Sequence, residues 1–161
     1  MNPDSSASTA AKASASAEPM APAPARILLV DDDPINQTVA RGLLRRHGFE
    51  AELAANGKEA LEKLAGRRFD LVLLDLQMPE LDGYQTATII RQNESKCASA
   101  PSAGENAGAR HSRHIPIIAL TTASAPGTRE KCLAAGMDDY LTKPIIAREL
   151  FAAIEKYLGP R

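Results

Sequence analysis

The sequence predicts an α/β fold: one doubly wound parallel sheet of five strands with helices on both faces. Two observations carry this. Short apolar runs bounded by turn residues recur at Arg26–Val30, Phe49–Ala54, Asp70–Leu74, Ile115–Leu120 and Asp139–Leu141, as strands buried in a parallel sheet require. Between them lie segments with apolar residues at helical spacing, and strands alternating with helices imply right-handed crossovers covering both faces. A chain of 161 residues, 44% hydrophobic and 24% charged, fits one domain, burying roughly two-thirds of its unfolded surface.

Residues 1–24 are Ala, Ser and Pro with almost no large apolar side chain, so they are expected to form a disordered tail ahead of a domain at 25–159. The first strand runs into Asp31-Asp32-Asp33-Pro34. Asp33 as N-cap and Pro34 at the first helical position open a helix through about His47, closed by Gly48. Ile35, Val39 and Leu43 share one face of it. Asn56 opens a second helix that turns Ala60, Leu61 and Leu64 inward and ends at Gly66.

Asp82 or Gly83 starts a third helix through about Gln92. The polar stretch from Asn93 to about His114 is too long for an ordinary connection and is expected to be a mobile insertion. A fourth helix spans about Pro126 to Ala135, closed by Gly136. The last runs from about Ala147 to Leu158 with Leu150, Ile154, Tyr157 and Leu158 on its apolar side.

A formal net charge of -1 argues against generic nucleic-acid or anionic-membrane binding. Cys97 and Cys132 have no metal-ligand spacing and are expected to be free thiols. No apolar run reaches the ~18 residues of a membrane span, and no secretory signal is visible. A cytoplasmic location is expected by elimination.

Four of the five predicted strands end in residues capable of chemistry: Asp31-Asp32, Asp75, Thr121 and Lys143. Taken alone, Asp75 reads as a turn acid, Asp31 and Asp32 as solvated, Thr121 as a strand former and Lys143 as a surface charge. In a parallel sheet, however, all four ends lie on one rim, where open α/β sheets bind ligands. Three carboxylates and one ammonium sum to -2, which a divalent cation cancels. All-oxygen ligands suit Mg²⁺. Asp75 could attack phosphorus and become an acyl phosphate, with Lys143 and the metal taking up phosphoryl charge and Thr121 donating a hydrogen bond.

At these residues the chain closely resembles the receiver domain of two-component response regulators. Val-Asp-Asp, Leu-Leu-Asp-Leu-Gln-Met-Pro-Glu-Leu-Asp-Gly, Ile-Ala-Leu-Thr and Asp-Asp-Tyr-Leu-Thr-Lys-Pro match that family in order and spacing. The phrase from Arg129 to Pro144 looks most like receivers attached to hybrid sensor histidine kinases. The resemblance implies a flavodoxin-like sheet of strand order 2-1-3-4-5. It implies Asp75 as phosphoacceptor; Asp32, Asp75 and the Gln77 backbone carbonyl as Mg²⁺ ligands; and Asp31 acting mainly through metal-bound water. It also implies a phosphoryl contact from Lys143, a cis Lys143–Pro144 bond, and Thr121 with Tyr140 as a switch pair biasing a surface of the fourth helix, fifth strand and fifth helix. The implied donor is a histidine kinase or histidine-phosphotransfer protein, with a protein as output partner, because the chain stops at Arg161.

Two departures stand out. Thr122 replaces a usually smaller residue, and the insertion lengthens the connection before the fourth strand. Ile35, beside the acidic run, is expected to help dock the donor's helical bundle. Asp138 and Asp139 read as a solvated strand start, and His47, His111 and His114 lack an orienting acid nearby in sequence. One rival is a Mg²⁺-dependent phosphatase or phosphotransferase with an aspartyl-phosphate intermediate. Such enzymes want a second acid two residues after the nucleophile, where this chain has Gln77. The other rival is a binding module independent of phosphorylation.

Overall fold

The structure is a computed structural model that describes residues 24–99, 114–122 and 125–159. Its elements, in chain order, are β1 (Arg26–Val30), α1 (Pro34–Arg46), β2 (Glu50–Ala54), α2 (Gly57–Gly66) and β3 (Leu71–Asp75). Then come α3 (Gly83–Ser99), β4 (Ile117–Thr121), α4 (Thr128–Ala134), β5 (Asp139–Thr142) and α5 (Ala147–Leu158). All strand pairings are parallel, in the order β2-β1-β3-β4-β5.

Side chains alternate across a strand, so each strand feeds both cores. Leu28, Val30, Val72, Leu74, Ile117 and Ala119 meet Ala60 and Leu64 of α2, Ala87 and Ile90 of α3 and Cys132 of α4. Ile27, Leu29, Leu71, Leu73, Ile118 and Leu120 meet Ala40 and Leu44 of α1 and Leu150, Phe151 and Ile154 of α5. The three central strands are thereby covered on both faces, as their near-continuous apolar sequences require.

The helix ends follow local chemistry. Asp33 and Asn56 accept the Ile35 and Glu59 N–H groups as N-caps. At the end of α1, Gly48 takes φ 81°. Its N–H reaches the Arg45 carbonyl, and the Phe49 N–H reaches Leu44, a Schellman closure sealed by the Leu44–Phe49 apolar pair. Gly136 (φ 95°) closes α4 in the same way.

Glu59 completes a cap at α2 by accepting the Ala55 N–H at 2.9 Å. That hydrogen bond, opposed by burial and aided by Lys63, holds its carboxyl below the usual range. A depressed acid stabilises the fold above its unfolded pKa and loses that contribution as pH falls through its folded pKa. Glu59→Gln is therefore expected to cost a few tenths of a kcal/mol at pH 7 and nothing near pH 2. Denaturant melts at the two pH values check this, and an equal cost at both would refute it.

Two elements differ from expectation. α3 continues through Ser99, so residues 93–99 are helical, and Cys97 lies on helix rather than in a loop. Its polar extension is held by one local and one tertiary partner of Glu94, which pairs with Arg91 three residues earlier in the helix and accepts the Ile115 N–H. The rest of the expected insertion, 100–113, and the expected tail, 1–23, lie outside the described residues. The second difference is the face that α1 buries. Ala40 and Leu44 are buried, while Ile35 is 71% and Val39 52% exposed.

Candidate functional site

Strand register builds the site. Val30 pairs with Leu74, so the next residues, Asp31 and Asp75, stand side by side. Asp75 pairs with Leu120, and Thr121 pairs with Thr142, which brings Thr121 and Lys143 to the same edge. The Lys143–Pro144 bond is cis.

Asp31 is fully buried and Asp75 is 4% exposed. Lys143 bridges them: its Nζ lies 3.0 Å from Asp31 Oδ2 and 3.3 Å from Asp75 Oδ2. The other oxygens are held by backbone, Asp31 Oδ1 accepting the Asp33 N–H at 2.9 Å and Asp75 Oδ1 the Gln77 N–H at 3.1 Å. Asp32 is exposed, and one oxygen from each of Asp31, Asp32 and Asp75 lies within 4.8 Å of the others.

The electrostatics follow from burial. Desolvation pushes the Asp75 carboxyl up and the Asp31 charge adds to it, against the Gln77 N–H and Lys143. For Lys143, burial alone would lower the ammonium's pKa, but the Asp31 hydrogen bond and the Asp75 field outweigh it, and the net shift is upward. The shift favours the charged ammonium of Lys143 opposite the carboxylates. Three carboxylates at this spacing, with only oxygen donors, fit a hard divalent cation such as Mg²⁺.

The loop after β3 is shaped by close approach. A Cβ on Gly83 would lie 2.5 Å from the Asp75 carbonyl oxygen and 2.8 Å from Leu76 Cα. The loop turns at Glu80, whose φ is 68°, with the Leu81 N–H on the Pro79 carbonyl at 2.8 Å. Gln77 is exposed, and Thr122 Oγ1 lies 3.4 Å from its side-chain oxygen.

Thr121 is buried at the end of β4. Tyr140 is half-buried, packed against the core beneath α2, α3 and α4. Its partner across the register is Ala119, two residues before Thr121, so Thr121 and Tyr140 share a face of the sheet. Ile35 is on the exposed side of α1, four residues after Asp31.

The structure also holds features that the sequence reading missed. Gln37 Nε2 donates to the carbonyls of Asp31 at 2.6 Å and Ala54 at 3.3 Å, tying α1 to the ends of β1 and β2. A glutamine on a polar helix face carries no signal of that in one sequence. Asp138 is not a solvated strand start: its carboxylate accepts from Arg91, His114 and the Ile117 N–H. His114 thus has an acid 2.6 Å away that sequence distance concealed. His47 stacks on Phe151 with ring centroids 3.5 Å apart, and His111 lies outside the described residues. Among the described residues, no helix is long and apolar enough to cross a membrane.

Comparisons with known proteins bear on the family and the fold. The family model described as the response regulator receiver domain matches residues 27–100 and 107–155. "Probable histidine kinase 4" of Oryza sativa subsp. japonica is 40% identical over 139 residues, covering 83% of this chain and 14% of that protein. Sensor histidine kinase GacS of Pseudomonas protegens is 39% identical over 134 residues, covering 83% of this chain and 13% of that protein. The chain thus spans a small part of the length of these relatives.

Among solved structures, the receiver domain of a Pseudomonas aeruginosa sensor histidine kinase, with magnesium coordinated in its active-site cleft, is 38% identical. Its TM-score is 0.68, and the match covers 86% of this chain and all of that one. The chemotaxis protein CheY4 of Vibrio cholerae superposes with TM-score 0.70 at 28% identity, covering 84% of this chain and 100% of that one. Five parallel strands in the order 2-1-3-4-5, the acidic rim and these similarities lead to one conclusion: the chain belongs to the response regulator receiver family and is a receiver domain of two-component signalling.

Proposed function

We propose that this receiver takes a phosphoryl group from a phosphohistidine on a histidine kinase or histidine-phosphotransfer protein, stores it on Asp75, and thereby changes a protein-binding surface. The observation that supports this best is the convergence of Asp31, Asp32, Asp75 and Lys143 at one sheet edge. An Asp75 carboxylate oxygen attacks phosphorus in line, a P–O bond forms, and the P–N bond to the donor imidazole breaks. The P–N bonding pair stays on nitrogen, and the donor imidazole, protonated on its other ring nitrogen before transfer, departs as the neutral ring. The product is an acyl phosphate.

Asp32, Asp75 and the Gln77 backbone carbonyl would hold Mg²⁺, with Asp31 beside them through water; the bound ion would offset charge on the phosphoryl oxygens. The Lys143 ammonium is aimed at the same oxygens from β5 and stays protonated throughout. Thr121 supplies a hydroxyl hydrogen bond once the group arrives. Its displacement, followed by Tyr140, biases the surface of α4, β5 and α5 toward a protein output partner.

The test is mass spectrometry after incubation with acetyl phosphate and Mg²⁺. An adduct of ~80 Da, the mass of one phosphoryl group on a carboxylate, is expected in the natural chain and absent in Asp75→Asn. Steady turnover of small phosphate esters would instead indicate a phosphatase, and no adduct from any donor would leave a binding module.

The exposed Ile35 and Val39 offer apolar surface beside the site that suits a donor helix. Ile35→Asp is expected to slow transfer from a phosphorylated protein donor about tenfold or more, the scale of one buried apolar anchor lost, while acetyl phosphate labelling is unchanged. Equal loss with both donors would count against docking there.

A further inference from the structure

We infer that Asp138 is a positioning residue for the phosphoryl-transfer site, acting from the far end of β5 by fixing the register that places Lys143. The inference rests on the reading above that Lys143 serves Asp75. β5 is a four-residue edge strand paired on one side only, and none of its residues is fully buried. Tyr140 and Leu141 pack against the two cores only in part, so side-chain burial holds this strand in register less firmly than it holds the central strands. Yet Lys143, just beyond its end, must meet two buried carboxylates at 3.0 and 3.3 Å. A slip of two residues keeps the same face inward but moves Lys143 by roughly 6.6 Å, out of reach of both.

Asp138 adds a further constraint at the strand's start. Its N–H donates to the Ile117 carbonyl at 2.9 Å, and its Oδ2 accepts the Ile117 N–H at 2.8 Å, so one residue clasps the start of β4 by both backbone groups. Its carbonyl accepts the Tyr157 hydroxyl of α5 at 3.0 Å. Oδ2 also takes Arg91 Nη2 of α3 at 2.8 Å, and Oδ1 faces His114 Nε2 at 2.6 Å. Arg91 is itself anchored on the Gly136 carbonyl at 2.7 Å and by Glu94. Elements on both faces of the sheet therefore converge on the first residue before β5. At the other end, the Lys143 N–H bonds the Thr121 carbonyl at 2.7 Å.

The action is through register and not through charge. The four residues of β5 lie between Asp138 and Lys143, a rise of five steps or roughly 16 Å, beyond the ~8 Å Debye length at physiological salt. Asp138→Asn can still accept from the Ile117 N–H while losing its charge, whereas Asp138→Ala loses the clasp.

The experiment measures acetyl phosphate labelling at saturating Mg²⁺ and amide hydrogen exchange over residues 139–143 in the full chain. Asp138→Ala is expected to label about tenfold more slowly and to exchange faster at Lys143. Asp138→Asn should recover most of both, and Tyr157→Phe offers a milder lesion should the alanine variant fail to fold. In a Lys143→Met background, Asp138→Ala should cause no further loss, because both act through the same ammonium. Additive losses, unchanged labelling despite faster exchange, or asparagine as impaired as alanine would overturn the inference. Absence of labelling in the natural chain would refute the phosphoacceptor reading instead, and unchanged exchange at Lys143 would then still refute the positioning role.

Discussion

Lys143→Met should lower acetyl phosphate labelling of Asp75 by about 10²- to 10³-fold, the scale of losing one preorganised charge stabiliser. Mg²⁺ affinity should be unchanged or higher, because the ammonium that competes with the cation for Asp31 and Asp75 is gone. The substitution leaves Asp31 buried without its counter-charge, which costs on the order of 3–5 kcal/mol when a buried pair is broken. Saturating Mg²⁺ should recover part of that loss. Rapid-quench mass spectrometry and calorimetric Mg²⁺ titration separate the effects, and near-natural labelling would remove Lys143 from the chemistry. The raised Lys143 pKa gives the sign of the pH dependence. Its stabilising contribution is complete below the unfolded lysine value and fades only as pH rises through the higher folded one, so the natural chain should keep this pairing across the neutral range.

Gly83→Ala should destabilise the fold by about 3 kcal/mol, at the upper end of overpacking penalties. The new Cβ would stand 2.5 Å from the Asp75 carbonyl oxygen and 2.8 Å from Leu76 Cα. These are backbone atoms at the junction of β3 and the site loop, and they cannot swing aside as a flexible side chain would. The same displacement should lower labelling, since it moves the residue that carries the nucleophile. Gly66→Ala is the control, because a Cβ there meets nothing within 4 Å and alanine is the better helix former by about 1 kcal/mol. It should be neutral or stabilising. Thermal melts compare the two, with a drop of roughly 6–12 °C expected for Gly83→Ala at 2–4 °C per kcal/mol. Similar melting temperatures would mean that the loop relaxes without cost.

The two predictions probe different parts of the same edge. Lys143 reaches the carboxylates from β5, and Gly83 lets α3 begin against the backbone of the phosphoacceptor itself. Both positions are simple to read once the strands are aligned.

Much of the fold was legible because its determinants are local. Apolar runs marked the strands, Asp33 and Asn56 announced their helices as caps, and Gly48 and Gly136 supplied the left-handed conformation that closes α1 and α4. The strand ends also brought Asp31, Asp32, Asp75, Thr121 and Lys143 to one rim, since a parallel sheet aligns its carboxyl ends whatever lies between them.

Tertiary structure alone decided the rest. Residues 34–46 carry apolar side chains on more than one face, and only packing against β1 and α5 selected Ala40 and Leu44, leaving Ile35 and Val39 exposed. Residues 93–99 look like loop by composition, but Glu94 gains the distant Ile115 N–H as a partner and the helix continues. Asp138 reads as a solvated acid until Arg91, His114, Ile117 and Tyr157 arrive around it from distant parts of the chain. Caps and strand runs are set by neighbours in sequence. A buried polar junction is set by which distant donors meet it, and that is known only when the chain has folded.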